Sequence, residues 1–401
     1  MEEKEIVVLV LSRNYSTGLG VIRALGKAGY TVDLIASVKQ RGSSVIASSS
    51  KYVRNCVEVL SPVIQEDDGS GIIEAVMAYA DCGQQVALFP TDDFTASVVA
   101  GNFGKLSEYF VMPHTLGDVT TLEAMDKGYQ SALAKECGLL TPGQWVVSLR
   151  GDIVIPEDII FPCFVKPAQS AEGKKAEMRR CDSAEELALH LQDMQAFFCH
   201  RDVVIQEYLE IDREYDFSGV CLDDKVIIPA VLEKQNISLN ERGVTMVGRM
   251  LPTDILGTEL ENIVSMLREL RFVGMFDFEV NRCGDKLYFG EINLRSGGPN
   301  YSYCLAGANL PAIVVQELTR GEHNPRWETV DRVGKTFVYE KVAWEDYIHS
   351  YISRSRMRQC INDSDYTLLA DSSDPQPGRI FRRRIRLSAI KRRIYRLIGR
   401  E

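Results

Sequence analysis

The chain lacks several things that whole protein classes require. None of its ten cysteines forms a Cys-x-x-Cys pair, and its five histidines are dispersed. This excludes a zinc-binding cysteine framework and leaves no histidine cluster for a transition metal. Most cysteines sit inside apolar runs, such as Cys163 in Phe161-Pro162-Cys163-Phe164-Val165. They read as reduced, buried thiols and not as a disulfide scaffold. No apolar run approaches the ~18 residues of a membrane-spanning helix. The charged opening Met1-Glu2-Glu3-Lys4-Glu5 has neither the apolar core nor the small-residue cleavage site of a secretory leader. Internal repeats are absent. The expected location is the cytoplasm.

What is present is a chain of 401 residues, 45% hydrophobic and 25% charged, long enough for two or three domains. Its charge is uneven. Residues 376–401 carry ten Arg or Lys and one acid, a balance of +9 against −10 for the whole chain, so the preceding residues sum to −19.

The first ~115 residues alternate strand and helix. Ile6 to Leu11 is a continuous apolar run, as in a buried parallel strand. A loop over Asn14 to Gly20, a helix from Leu19 to Ala28 and a strand from Tyr30 to Ala36 follow. A helix over Gly71 to Ala80 and a strand over Gln85 to Phe89 complete a doubly wound α/β unit, whose loops at the strand C-terminal ends are candidate functional positions. Gly18-x-Gly20 lacks the third glycine of a dinucleotide fingerprint, so a ligand loop and a structural turn both remain open.

A helix spans Leu122 to Cys137 and contains Asp126-Lys127. Beyond Ile160 the chain is strand-rich: Phe161 to Val165, Val203 to Gln206, Tyr215 to Cys221 and Lys225 to Leu232. Helices at Ser183 to Phe198 and Glu259 to Leu270 interrupt the strands, an α+β pattern. Organisation weakens after Gly321. Asp371 to Gly378 reads as a flexible linker, and Ile380 to Ile398 as an amphipathic, arginine-rich segment. The expected domains are 1–115, 116–325 and a C-terminal extension, 326–401.

The most informative stretch runs from Glu279 to Arg295. It reads as a β-hairpin, with strands Met275 to Val280 and Lys286 to Ile292 around a turn at Asn281 to Asp285. Glu279 and Glu291 lie near the two strand ends. Period-2 geometry puts Glu291 and Asn293 on one face, and Arg295 continues it if the chain stays extended. Two carboxylates and an amide oxygen are hard ligands suited to Mg²⁺, and the guanidinium suits a carboxylate or phosphate.

These pieces together resemble an ATP-grasp ligase over roughly residues 5–325. The motif Glu279…Glu291-x-Asn293-x-Arg295 is similar to the superfamily's metal and transition-state signature. It implies Glu279, Glu291 and Asn293 as ligands of one or two Mg²⁺ ions, with Mn²⁺ as a substitute. Phe161-Pro162-Cys163-Phe164-Val165-Lys166-Pro167 resembles the strand whose lysine reaches the α- and β-phosphates of ATP. The loop after it, Ala168 to Ala176, would be the phosphate lid. It departs from the usual glycine-rich pattern, having only Gly173, so Lys174 and Lys175 would supply side-chain charge in place of backbone donors. Val203 to Leu209 resembles the adenine hinge, with the backbone around Glu207, Tyr208 and Leu209 on the adenine edge and Glu214 on the ribose. Lys127 matches a basic residue facing the phosphates.

Within the superfamily, Lys166-Pro-Ala-Gln-Ser170, Gly173-Lys174-Lys175-Ala176, Glu291-Ile-Asn-Leu-Arg-Ser-Gly-Gly298 and Gly307-Ala-Asn-Leu-Pro311 look like D-aspartate ligase-like carboxylate–amine ligases. The resemblance implies ATP-dependent formation of an amide through an acyl phosphate, on small-molecule carboxylate and amine substrates, with a cell-envelope precursor as one candidate. Arg295 and Lys166 would serve the chemistry, and Ser296, Gly297 and Gly298 would join Arg295 at the substrate. A homodimer is the assembly common in the superfamily. Alternatives are carbamoyl-phosphate-type phosphorylation and an ATP-binding regulatory protein. For the basic tail, residues 379–400, a solvated extension and a membrane-surface helix at the inner membrane face stay open. With Phe381 and Tyr395 its only aromatics and an acidic body, nucleic acid is not the expected partner.

Overall fold

A computed structural model describes residues 5–13, 15–61, 67–167, 178–198, 202–241 and 243–397. The lid expected at 168–176, with Lys174 and Lys175, lies outside the described residues.

The first unit runs β1 (Ile6–Ser12), α1 (Tyr15–Lys27), β2 (Thr31–Val38), α2 (Val45–Ser48), β3 (Val53–Leu60), α3 (Ser70–Met77), β4 (Gln85–Pro90), α4 (Asp93–Gly101) and the single turn α5 (Phe103–Leu106). Its four strands are parallel in the order β3-β2-β1-β4. β1 is central, which is why all seven of its residues are buried and its sequence shows no polar alternation.

The helix after β1 starts earlier than its sequence suggests, at Tyr15. Gly18 and Gly20 therefore lie inside α1, not in a ligand loop. They serve close packing: a Cβ on Gly18 would sit 2.6 Å from the Ser12 hydroxyl, and one on Gly20 would sit 3.1 Å from Tyr301 Cβ.

A short strand β5 (His114–Thr115) leads into α6 (Thr121–Ala124) and α7 (Lys127–Glu136). The single helix expected over 122–137 is thus two. Thr120 and Glu123 form a reciprocal capping box on α6. Asp126 then caps α7 by accepting from the Tyr129 N–H at 2.8 Å. Two capping residues in succession break the helix and make Lys127 the first residue of the second one.

Next comes a four-stranded sheet of β6 (Gln144–Ser148), β7 (Cys163–Pro167), β8 (Arg179–Cys181) and β9 (Asp202–Glu207), ordered β6-β9-β7-β8, with α8 (Ala184–Phe198) between β8 and β9 in sequence. The remaining strands are β10 (Arg213–Cys221), β11 (Val226–Ile227), β12 (Val231–Ile237), β13 (Thr245–Leu251), β14 (Phe272–Cys283) and β15 (Lys286–Asn293), with α9 (Glu259–Glu269) preceding β14. The strand expected over 225–232 is split: Val226–Ile227 returns on β10, and β12 begins only at Val231. After α10 (Asn300–Ala306) and α11 (Leu310–Arg320) come β16 (Thr336–Val338), α12 (Glu340–Ile348), α13 (Arg354–Asp363), β17 (Tyr366–Thr367) and α14 (Pro375–Leu397). The large sheet is ordered β15-β14-β10-β12-β13-β16-β17, with β11 on β10 and β5 on β14.

The region after Gly321 is ordered, contrary to the sequence reading: β16 and β17 extend the large sheet. Nor is 371–378 a free linker. The Arg23 guanidinium, fully buried, donates to Asp374 at 2.9 Å and to the carbonyls of Leu368 and Leu369. Asp374 also accepts from the Ser50 hydroxyl at 2.8 Å and the Lys51 N–H at 3.0 Å. Tyr301 donates to Asp371, which Lys27 also reaches at 3.2 Å. A buried charge must be paired, and this pairing ties the segment to α1 and α2. The prolines that suggested a break lie in the first turn of α14, where a fixed φ is favourable. Phe381 of that helix joins the hydrophobic core shared with β1, β2 and α1. The nine cysteines among the described residues are free thiols.

Candidate active site

The hairpin is longer and tighter than its sequence suggests. β14 and β15 pair from Cys283↔Lys286 to Asp277↔Asn293, leaving Gly284 and Asp285 as the turn. Gly284 sits at φ +61°, in the left-handed region that such a turn demands. Glu279 and Glu291 are direct cross-strand partners, and a bulge follows at Gly290, where Val280 pairs with Phe289. A Cβ at Gly290 would lie 3.0 Å from the Glu279 carbonyl, so the bulge needs a glycine. Cross-strand like charges repel unless countered. Here each carboxylate has its own ammonium. Lys127 donates to Glu291 at 2.9 Å, and Lys234 donates to Glu279 at 3.0 Å.

Lys127 owes its position to the capped start of α7, and Gln130 one turn on accepts from the Ile292 N–H at 3.4 Å. Lys234, on β12, is almost fully buried and also pairs with Glu214 at 3.3 Å. Burial opposes its charge, but Glu279, Asp216 and Glu214 raise its pKa above the ordinary value. Burial raises Glu279, with Lys234 opposing. Burial would also raise Glu291, yet Lys127 holds it below the ordinary value.

Lys166 lies on β7 of the smaller sheet, and its ammonium donates to Gln206 at 3.1 Å. Burial, then the nearby Lys127 charge, push its pKa down to about 8, with Glu291 opposing. Lys127, Lys166, Gln206 and Glu291 line one cleft of about 30 Å³.

At the hinge after β9, the Glu207 N–H donates to the Gly143 carbonyl at 2.8 Å and the Tyr208 N–H to the Pro162 carbonyl at 2.9 Å. Of the three residues expected at an adenine edge, Glu207 and Tyr208 thus have their N–H groups committed within the protein, and Leu209 is the third. The Glu207 carboxylate accepts from the Gly143 N–H at 3.0 Å, a second tie between these two residues.

Arg295 is fixed by three partners. Its Nε donates to Asp93 Oδ1 at 2.8 Å, and one terminal nitrogen reaches Asp277 at 3.4 Å and the Ser296 carbonyl at 3.1 Å. Burial opposes the charge, but Asp93 and Asp277 more than offset it. The neighbouring Gly297 packs against Asp277: an added Cβ would fall 1.9 Å from its Oδ1. Ser296 is buried, whereas Gly298 is exposed with nothing within 4 Å of an added Cβ.

Sequence reasoning missed Asp277, Asp216, Lys234 and Asp93. Asp277 was legible, being two residues before Glu279 and so on the same face of β14. Lys234 and Asp93 come from distant strands and helices, and no local pattern points to them. Asp216 sits opposite Glu279 on β10, buried, with Oδ1 lacking a hydrogen-bond partner. Burial, followed by Asp277 and Glu279, raises its pKa well above the ordinary value.

No family model matches the chain. It is 25% identical over 205 residues to D-alanine–D-alanine ligase of Aquifex aeolicus strain VF5, covering 49% of this chain and 68% of that one. Among solved structures it is similar to an L-amino acid ligase from Bacillus licheniformis, with TM-score 0.60, 15% identity, and coverage of 83% and 79% of the two chains. It is likewise similar to the biotin carboxylase domain of Hydrogenobacter thermophilus 2-oxoglutarate carboxylase in complex with MgADP and bicarbonate, with TM-score 0.59, 18% identity, and coverage of 84% and 74%. The chain has the ATP-grasp fold. In it, the ATP-grasp cleft lies between the β6–β9 sheet and the large sheet. The biotin carboxylase domain neighbour is in complex with MgADP, and the donor chemistry here fits a divalent ion and a phosphate. Two cross-strand carboxylates and an amide oxygen suit a hard divalent ion, and two ammonium groups face the same space. Among the described residues no three His, Cys, Asp or Glu side chains close into a metal cage; Asn293, whose amide donates to Glu291 at 3.4 Å, leaves its oxygen to accept.

Proposed function

We propose that the chain is an ATP-dependent, ADP-forming carboxylate–amine ligase. One observation carries this reading: Glu279 and Glu291 face each other across β14 and β15, with Lys127 and Lys166 in the same cleft and Arg295 two residues beyond Asn293. A carboxylate would be activated by the γ-phosphate of ATP and the acyl phosphate captured by an amine. Glu279, Glu291 and Asn293 would hold Mg²⁺, which would supply positive charge to offset the phosphates. Lys166 and Lys127 offset phosphate charge, and Lys127 must exchange its Glu291 partner to do so. Leu209 meets the adenine edge, and Glu214, already oriented by Lys234, accepts from the ribose. Arg295, whose Nε and one terminal nitrogen are held by Asp93 and whose other terminal nitrogen is held by Asp277 and the Ser296 carbonyl, would offer its one uncommitted N–H to the substrate carboxylate and then to the tetrahedral oxyanion. Gly298, open and exposed, is the backbone approach for that substrate.

The finer reading is a D-aspartate ligase-like enzyme acting on a cell-envelope acceptor in the cytoplasm at the inner membrane face. No helix among the described residues is long and apolar enough to cross a membrane. The support is α14, which has no acidic residue and exposes Leu387 and Ile390 beside Arg382, Arg383 and Arg386. Basic residues near anionic lipid contribute about 1 kcal/mol each. Because Asp374 and Phe381 anchor α14, the test is reversal of Arg383 and Arg386 to Glu in the full chain. Unchanged sedimentation with anionic liposomes would remove lipid contact from the reading. Homodimerisation is the expected assembly.

The decisive experiment is phosphate release from ATP and Mg²⁺ across a matrix of D- and L-amino acids paired with amines. Release that needs both partners and vanishes in Glu291→Ala is expected. Release that survives the substitution would overturn the assignment.

A further inference from the structure

We propose that the N-terminal sheet carries a second small-molecule site, for a small organic anion, outside the cleft between the two ATP-grasp sheets. A pocket of about 270 Å³ opens at the C-terminal ends of β1, β2 and β3. It lies on the β2 side of β1, away from β4 and the point where the strand order reverses. The volume is close to the lower end of the ~300–1,000 Å³ typical of ligand pockets.

The pocket is built and held open. Its wall is the loop before α2, and Glu58 on β3 fixes that loop by accepting from the Gly42 N–H at 2.7 Å, the Ser44 N–H at 3.0 Å and the Ser44 hydroxyl at 2.5 Å. Its charged lining residues among those described are Arg13 and Lys39, and no carboxylate lines it. Its polar lining is otherwise hydroxyls, with Leu34 and Ala47 as apolar wall.

Two buried polar groups at this pocket have no hydrogen-bond partner. The Ser37 hydroxyl is buried, 4% exposed, and has no hydrogen-bond partner. Arg13 gives one edge to Asp67 at 2.6 Å and lays its guanidinium on the Phe94 ring, yet its Nε is buried and bonded to nothing. Unsatisfied buried donors are costly, on the order of 1–3 kcal/mol each. Arg13 and Ser37 each follow the last β1–β2 pair, Ser12↔Ala36, so one acceptor-rich anion at these strand ends would serve both. The Arg13 N–H also holds Asp92 at 2.6 Å, and the next residue, Asp93, holds Arg295. Adjacent residues at the start of α4 thus contact Arg13 and Arg295.

Full-length protein would be titrated with inorganic phosphate and, separately, with glycerate. A saturating non-hydrolysable Mg·ATP analogue would fill the main cleft. Saturable binding of either anion is expected, and which one binds distinguishes a phosphate ligand from a carboxylate. Ser37→Ala should weaken it about five- to tenfold, the worth of one hydrogen bond, while leaving the melting temperature of the free protein unchanged or higher. Lys39→Glu should weaken it further, and Lys166→Met should leave it intact. Absence of binding by both anions overturns the proposal. So does binding that survives Ser37→Ala and is lost in Lys166→Met, which would place the anion in the ATP cleft.

Discussion

Lys166→Met should make the free protein more stable and deprive it of nucleotide. Lys166 has its pKa lowered from the ordinary 10.5 to about 8, first by burial and then by the Lys127 charge. That drop corresponds to about 3 kcal/mol of penalty on the charged form. At pH 7 the folded protein bears the whole penalty, since Lys166 is still protonated there. Between about pH 8 and 10.5 the unfolded chain binds more protons at this residue than the folded one, so its contribution to stability improves as pH rises. Methionine keeps the stem and drops the charge, losing only the hydrogen bond to Gln206. A net gain of about 1–3 kcal/mol is expected at pH 7, and the gap to wild type should narrow from pH 8 toward 10.5. Urea denaturation of both proteins at pH 7, 8.5 and 10 measures it. Nucleotide binding by calorimetry should weaken at least tenfold in the variant, and in wild type affinity should fall as pH rises through about 8, where the free protein loses the ammonium. A variant less stable than wild type at pH 7, or a gap that does not change with pH, would refute the argument.

Three further outcomes follow from other contacts. Arg295→Lys loses the fork that Asp93 and Asp277 hold, so turnover should fall about 10²–10³-fold with nucleotide affinity unchanged; equal turnover would remove Arg295 from the chemistry. Asp374→Ala leaves Arg23 charged and buried, which should cost about 3–5 kcal/mol in urea denaturation; a loss below about 1 kcal/mol would mean the C-terminal segment is not anchored there. Gly298→Val meets open space and should keep the melting temperature while raising the substrate KM, whereas Gly297→Ala collides with Asp277 and should lower both stability and kcat. Intact turnover and KM in Gly298→Val would take that loop away from the substrate.

The local chemistry of the site was legible from the sequence, because a strand's two-residue period alone places Glu291 and Asn293 together and a glycine-containing turn announces the hairpin. The buried strand β1 and the Lys166 strand were legible for the same reason: continuous apolar runs have few alternatives. Three features were decided only by the tertiary structure. One is the counter-charge: Lys127, Lys234 and Asp93 come from α7, β12 and the N-terminal unit, and nothing in their neighbourhoods announces the carboxylates and guanidinium they meet. A second is the role of Gly18 and Gly20, which depends on how closely α1 approaches Ser12 and Tyr301. The last is the segment around Asp374. A run rich in Ser, Asp, Pro and Gly has the composition of a linker, and it becomes a buried anchor only because Arg23, far away in the chain, arrives inside the core with a charge that must be paired.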